Sequence, residues 1–171
     1  MNRLDIFLDR WIRRKIQTDK FWQSFEVLYS SEKVAGEGEH KIIQHFKKSC
    51  SSQDKCCIYG LDADLIMLAL STTNTFILRE NTFNPSEIYL INIPEFARVL
   101  TLELGTTTST HDFIFMIFFM GNDFLPNIPS LEIITGGIGS LFEIYKTTKR
   151  NTGIGIVSQS GSIRFPILWK F

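Results

Sequence analysis

The chain has 171 residues, 44% of them hydrophobic and 13% aromatic, with fifteen phenylalanines. That is enough for one domain with a sizeable aromatic core, and it excludes a disordered or low-complexity chain. Eighteen basic and eighteen acidic residues cancel, so no global field draws in a polyanion and any nucleic-acid affinity has to be local.

The first twenty residues are too charged for a secretory signal, and no stretch reaches the ~20 apolar residues of a membrane helix. This predicts an intracellular protein, cytoplasmic or nuclear, with no membrane partner. Cys50, Cys56 and Cys57 are odd in number and lack paired ligand spacing, so Cys56 and Cys57 read as reduced strand residues and not as a zinc site.

In chain order, a helix is predicted from about Asn2 to Lys20, with Ile6, Trp11 and Ile16 opposite a solvated face of Arg10, Arg13 and Arg14. A strand near Phe25 to Tyr29, a helix over Glu37 to Lys48, a buried strand over Cys56 to Tyr59 and a helix over Ala63 to Ser71 follow. This alternation predicts an α/β fold, a mainly parallel sheet flanked by helices.

Strands at Thr75 to Arg79 and Ile88 to Ile91 flank the turn-like Asn81 to Ser86, and Pro94 opens a helix to about Leu104. The Thr106 to Thr110 linker leads to the apolar run Phe113 to Met120, which reads as a buried helix ended by Gly121 and Asn122. A helix at about Gly139 to Lys149 and a Gly- and Ser-rich stretch, Asn151 to Ser162, come next. Ile163 to Phe171 is apolar and aromatic, as at the start of a helix packed on something that follows. The expected division is therefore 1–150 and 151–171, the second part being the truncated start of a helical segment.

Three acidic signatures carry the chemistry: Gly36-Glu37-Gly38-Glu39-His40-Lys41, Gly60-Leu61-Asp62-Ala63-Asp64 and Gly121-Asn122-Asp123-Phe124. Each lies against an apolar element, where an ionised carboxylate must be paired, hydrogen-bonded or given a cation. Glu39 lies three and four residues before Ile42 and Ile43 on a helical stripe that Phe46 extends, and Asp62 and Asp64 stand at a strand end, where α/β folds keep their chemistry. Taken singly, these acids read as answers to helix dipoles, an N-cap and a turn former. Jointly, Glu37, Glu39, Asp62, Asp64 and Asp123 point to a divalent-metal site of the kind in which two ions clamp the attacking and leaving oxygens of a phosphodiester. His40, His45 and His111 form no i, i+4 ligand pair and read as solvent-facing or capping residues.

The order and wording of these signatures resemble the Xrn-type 5′-to-3′ exoribonucleases, in segments running Gly-Glu-Gly-Glu-His-Lys-Ile, Tyr-Gly-Leu-Asp-Ala-Asp-Leu-Ile and Gly-Asn-Asp-Phe-Leu-Pro. Leu78-Arg79-Glu80 and Asp112-Phe113-Ile114 are also similar to the family. The resemblance implies an incomplete Rossmann-like fold of the PIN and flap-nuclease kind, with Mg²⁺ or Mn²⁺, two ions, held by Glu37, Glu39, Asp62, Asp64 and Asp123. It implies a substrate of RNA with a 5′-monophosphate. It also implies further aspartates and a basic phosphate pocket in an N-terminal half of the catalytic region, upstream of the part matched here. Ala35 replaces the family's usual proline and Thr106 to Thr110 is short, and the first change loosens the approach to Glu37 only modestly.

Three other readings stand beside this one: a degenerate, non-catalytic module acting through protein contacts; a flap-endonuclease-like DNA nuclease; and a phosphotransferase with Asp62-Ala63-Asp64 as its dyad. The last leaves Glu37, Glu39 and Asp123 without roles.

Overall fold

The computed structural model describes residues 2–105, 108–123, 125–131 and 136–171. They divide into two compact units, Met1–His45 and Phe46–Phe171. Among the described residues no helix is long and apolar enough to cross a membrane.

In the first unit, α1 (Asn2–Thr18) is the expected amphipathic helix. Its apolar residues Leu4, Ile6, Phe7, Trp11 and Ile16 remain exposed. Trp11 meets Trp22 edge to face, ring centroids 5.3 Å apart, on a 3₁₀ turn at Trp22–Ser24. The Asp5 carboxylate accepts the Tyr29 hydroxyl at 2.6 Å, and this bond pushes the phenol up to about 12. Phe25 to Tyr29 forms no strand. Phe25 has extended dihedrals, but a strand exists only through a ladder partner, and among the described residues the segment has none. α2 (Gly38–Ser49) then begins, with Lys41 N–H donating to Glu37 C=O at 3.1 Å. Of the expected stripe, Ile43 and Phe46 are buried and Glu39, four residues ahead of Ile43, is half-buried, whereas Ile42 is exposed.

The second unit contains the sheet. β1 (Cys56–Tyr59) runs parallel to β2 (Thr75–Glu80), Cys56 opposite Thr75 and Tyr59 opposite Leu78. The crossover between them is α3 (Asp64–Ala69). β3 (Ile88–Asn92) returns antiparallel to β2, so the sheet is three-stranded in the order β1-β2-β3, with α3 and then α4 (Ile93–Leu104) packed on it. This is the α/β class expected, a small sheet flanked by helices. β1 differs in burial: Ile58 is inside, while Cys57 and Tyr59 are exposed, the alternation of a strand with one face covered. Burial also raises the Cys56 thiol. α3 is apolar on nearly all sides, as expected, and no residue from Asp64 to Leu70 is exposed.

α4 shows how local signals set a helix. The Asn92 side chain accepts Glu95 N–H at 3.1 Å, Pro94 lies in the first turn, and Gly105 closes the helix in the left-handed region at φ 64°. Asn92→Ala is expected to lower stability by about 1 kcal/mol, a fall in Tm of about 2–4 °C at this chain length. Thermal denaturation followed by circular dichroism checks this, with Asn92→Ser as the cap-preserving control.

The apolar run forms α5 (Ser109–Ile117) and then tightens into a 3₁₀ turn at Phe118–Met120. Phe113, Met116 and Met120 are buried, whereas Phe118 faces solvent. Thr106 and Thr107 of the expected linker lie outside the described residues, as does Phe124 of the third signature. α6 (Gly137–Thr152) and a short α7 (Phe165–Leu168) complete the unit. Leu100 and Leu104 of α4, Phe113 and Met116 of α5, Leu141 and Tyr145 of α6, and Ile156, Val157 and Ile167 make one core. Phe113 meets Phe96 and Phe142 edge to face, giving the core its aromatic character. The final residues thus contribute to this core through Ile167 and Phe171, while Phe165 and Trp169 stay exposed.

Candidate metal centre

Each signature sits where a local rule puts it. Gly36, at φ 99°, turns the chain into α2 in a conformation that side-chain-bearing residues rarely adopt. Lys41 braces the same turn by donating to Val34 C=O at 2.5 Å. Glu37 therefore stands just before the helix and Glu39 in its first turn, where the dipole favours anions. His40 follows, its Nδ1 3.1 Å from Glu37 Oε2. The ligand atoms of Glu37, Glu39 and His40 all lie within 4.8 Å of one another, with Glu39 half-buried and the other two exposed. Two carboxylates and an imidazole form a donor set that fits a divalent cation.

The second signature begins where β1 ends. Gly60 N–H extends the ladder to Leu78 C=O at 3.1 Å, and a Cβ on Gly60 would lie 2.4 Å from Leu65 Cδ1, so glycine allows this close approach of strand and helix. Asp62 accepts Asp64 N–H at 3.0 Å through Oδ1, an Asx turn that aims the chain into α3. Arg79 on β2 donates through Nη2 to Leu61 C=O at 2.7 Å, tying the loop to the sheet. Asp62 is exposed and Asp64 half-buried. Beside them, Tyr59 donates to Glu80 at 2.5 Å and its phenol is raised by that bond.

Asp123 follows Gly121 as expected, at the exit of the α5 run, and is exposed. Asn122 N–H donates to Leu125 C=O at 2.9 Å and Asn122 Oδ1 accepts Leu125 N–H at 2.8 Å, so the loop is closed on itself. Thus the structure joins Glu37 with Glu39, and Asp62 with Asp64, and sets Asp123 on its own loop. Among the described residues the one group of three with ligand spacing is Glu37, Glu39 and His40.

Three contributing residues go beyond the sequence reading. His40 does face solvent, yet it also joins the two glutamates; its spacing three residues after Glu37 on a helix was the available signal. Arg79 had only the wording around it. Asp112 is fully buried, accepting Tyr145 O–H at 2.7 Å, Thr108 O–H at 3.0 Å and Val157 N–H at 2.7 Å. It is a structural carboxylate, and nothing in its neighbours along the chain announces the two donors that come from elsewhere, Tyr145 and Val157.

Comparison with known proteins adds a separate line of support. Residues 1–81 match the family model described as XRN 5′-3′ exonuclease N-terminus, and residues 107–167 match the model described as Xrn1 helical domain. The chain is 34% identical to 5′-3′ exoribonuclease 1 of Schizosaccharomyces pombe, over 95% of its own length and 14% of that protein's. To 5′-3′ exoribonuclease 1 of Saccharomyces cerevisiae it is 33% identical, over 95% of this chain and 12% of the relative. The human 5′-3′ exoribonuclease 1 is 30% identical over all of this chain, again 12% of the relative. The chain therefore spans less than a fifth of the length of these relatives. With both family models matched and the identity running along nearly the whole chain, this protein belongs to the Xrn-type 5′-3′ exonuclease family.

Proposed function

We propose that this chain forms the later part of the catalytic region of a 5′-to-3′ exoribonuclease, acting with an N-terminal part on RNA that carries a 5′-monophosphate. The observation that carries the reading is the placement of the paired acids: Glu37 and Glu39 at the start of α2, Asp62 and Asp64 where β1 passes into α3. The names of the relatives support the reaction class. Bound Mg²⁺ or Mn²⁺, two ions in this reading, supplies acidification of water and neutralisation of charge developing on phosphate oxygens.

The chain's own contribution is orientation. Glu37, Glu39, Asp62, Asp64 and Asp123 hold the cations. The Asx turn at Asp62 and the Arg79 bond to Leu61 C=O fix the second pair against the sheet. The exposure of Glu37, Asp62 and Asp123 leaves them open to a phosphate backbone. In this reading the protein acts inside the cell, in the cytoplasm or the nucleus.

Asp62→Asn and Asp64→Asn are each expected to reduce metal-dependent decay of a 5′-monophosphorylated RNA about 100-fold or more, as loss of a charged group from a metal or oxyanion site does. The assay uses this chain together with the N-terminal part that the proposal invokes, with a 5′-hydroxyl RNA as the control substrate. Equal rates for the variants and the parent would end the reading.

A further inference from the structure

Arg79 is the last residue but one of β2 (Thr75–Glu80). Because β1 and β2 run parallel, it lies at the same end of the sheet as the loop that carries Asp62 and Asp64. That is the carboxyl end of the strands, outside which α/β sheets bind their ligands. The ordinary explanation of the residue is a brace, Nη2 donating to Leu61 C=O at 2.7 Å. Such a bond uses one of the five N–H donors of a guanidinium, and bracing a neutral carbonyl needs no positive charge.

The charge itself is not matched by a carboxylate. Arg13, Lys15, Arg98 and Lys146 each hold one, whereas Arg79, although half-buried, forms no ion pair among the described residues. Withdrawing a charge from water costs free energy that an ion pair or a ligand offsets. Asp62, one residue beyond Leu61, uses Oδ1 to accept Asp64 N–H. A cation is therefore held next to this acidic loop with most of its donors unspent on the protein.

We infer that Arg79 contacts a backbone phosphate of the RNA strand beside Asp62 and Asp64, through the N–H groups not used on Leu61. Two carboxylates repel an approaching phosphate, and a fixed guanidinium fork both offsets that repulsion and fits phosphate oxygens in pairs. The bond to Leu61 C=O holds the fork in place, so little side-chain freedom is lost when the strand binds. The inference rests on the RNA-cleaving reading of these acids. It goes beyond that reading in giving the chain a residue that touches the substrate itself and not only the ions.

The test is binding of a fluorescent single-stranded RNA with a 5′-monophosphate, read by anisotropy across a series of KCl concentrations. Ca²⁺ replaces Mg²⁺ so that the strand is not consumed, and the protein is this chain together with the N-terminal part invoked above. Each phosphate contact to a single strand adds about 0.7 to the steepness of log K against log salt. Arg79→Gln is expected to lower that steepness by about 0.7 and to weaken binding about tenfold or more, the size for one charge-assisted hydrogen bond. Arg79→Lys keeps the charge and should keep the steepness. An unchanged steepness in Arg79→Gln, whatever its affinity, overturns the inference and leaves Arg79 as a brace of the Asp62 loop. Equal loss of steepness in Arg79→Lys does the same, as does an Arg79→Gln chain without a cooperative melting transition by circular dichroism. No saturable RNA binding by the parent overturns the RNA reading together with the inference.

Discussion

Asp112→Ala is expected to destabilise the unit Phe46–Phe171 by about 3–5 kcal/mol, because it strands three buried hydrogen-bond donors at once. The carboxylate is fully buried, and its two oxygens accept from Val157 N–H, Tyr145 O–H and Thr108 O–H. Alanine removes every acceptor at once and leaves donors from α6 and the 155–157 segment facing an apolar interior, each costing about 1–3 kcal/mol if it goes unsatisfied. The carboxylate packs closely against the 155–157 segment: a Cβ on Gly155 would lie 2.2 Å from Asp112 Oδ2. At about 2–4 °C per kcal/mol, thermal denaturation should show a fall in Tm on the order of 10 °C. Tyr145→Phe removes only one donor and should fall by a smaller amount, and a double-mutant cycle between the two positions should show strong coupling. A change in Tm under about 2 °C for Asp112→Ala would contradict this account.

Gly121→Ala is the second large effect, and it acts on the loop that carries Asp123. Gly121 has φ 79° and ψ 165°, a region that glycine alone populates readily and that costs other residues about 1–3 kcal/mol. A Cβ there would lie 2.6 Å from Asn127 N and 3.0 Å from both Asn127 Cα and Leu125 C=O. These are backbone atoms of a loop closed by the Asn122 to Leu125 bonds and by Ile128 N–H donating to Phe119 C=O at 3.0 Å, so no side chain can swing aside to make room. The loop carrying Asp123 must move as a whole. Hydrogen exchange should therefore quicken across 121–128 while α5 and α6 keep their protection, and Tm should fall by several degrees. Gly139→Ala provides the contrast: it lies in α6 with nothing within 4 Å and should be neutral or stabilising by about 0.5–1 kcal/mol. Unchanged exchange at 121–128 in Gly121→Ala would show that the turn is not the constraint described.

Elements whose signals lie within a few residues were legible in the chain itself. β1 and α4 stand where the short apolar run Cys56–Tyr59 and the helix-opening Pro94 put them, and α2 buries Ile43 and Phe46 on the stripe that Glu39 tops. The order of the acidic signatures, and their places at a helix start, a strand end and a helix exit, were legible for the same reason. Helix periodicity, capping and turn chemistry act between residues at most about four apart.

What only the tertiary structure decided depends on residues far apart in the chain. The apolar segment Phe25–Tyr29 has the composition of a strand but no ladder partner among the described residues, and β1 reads as a buried strand but has only one face covered. Asp112 looks like one more acid in the first turn of a helix. It becomes the centre of a buried network only because Tyr145 and Val157, 33 and 45 residues away, bring their donors to it. Pairing, edge position and the satisfaction of a buried charge are set by which elements meet, and no local pattern encodes that meeting.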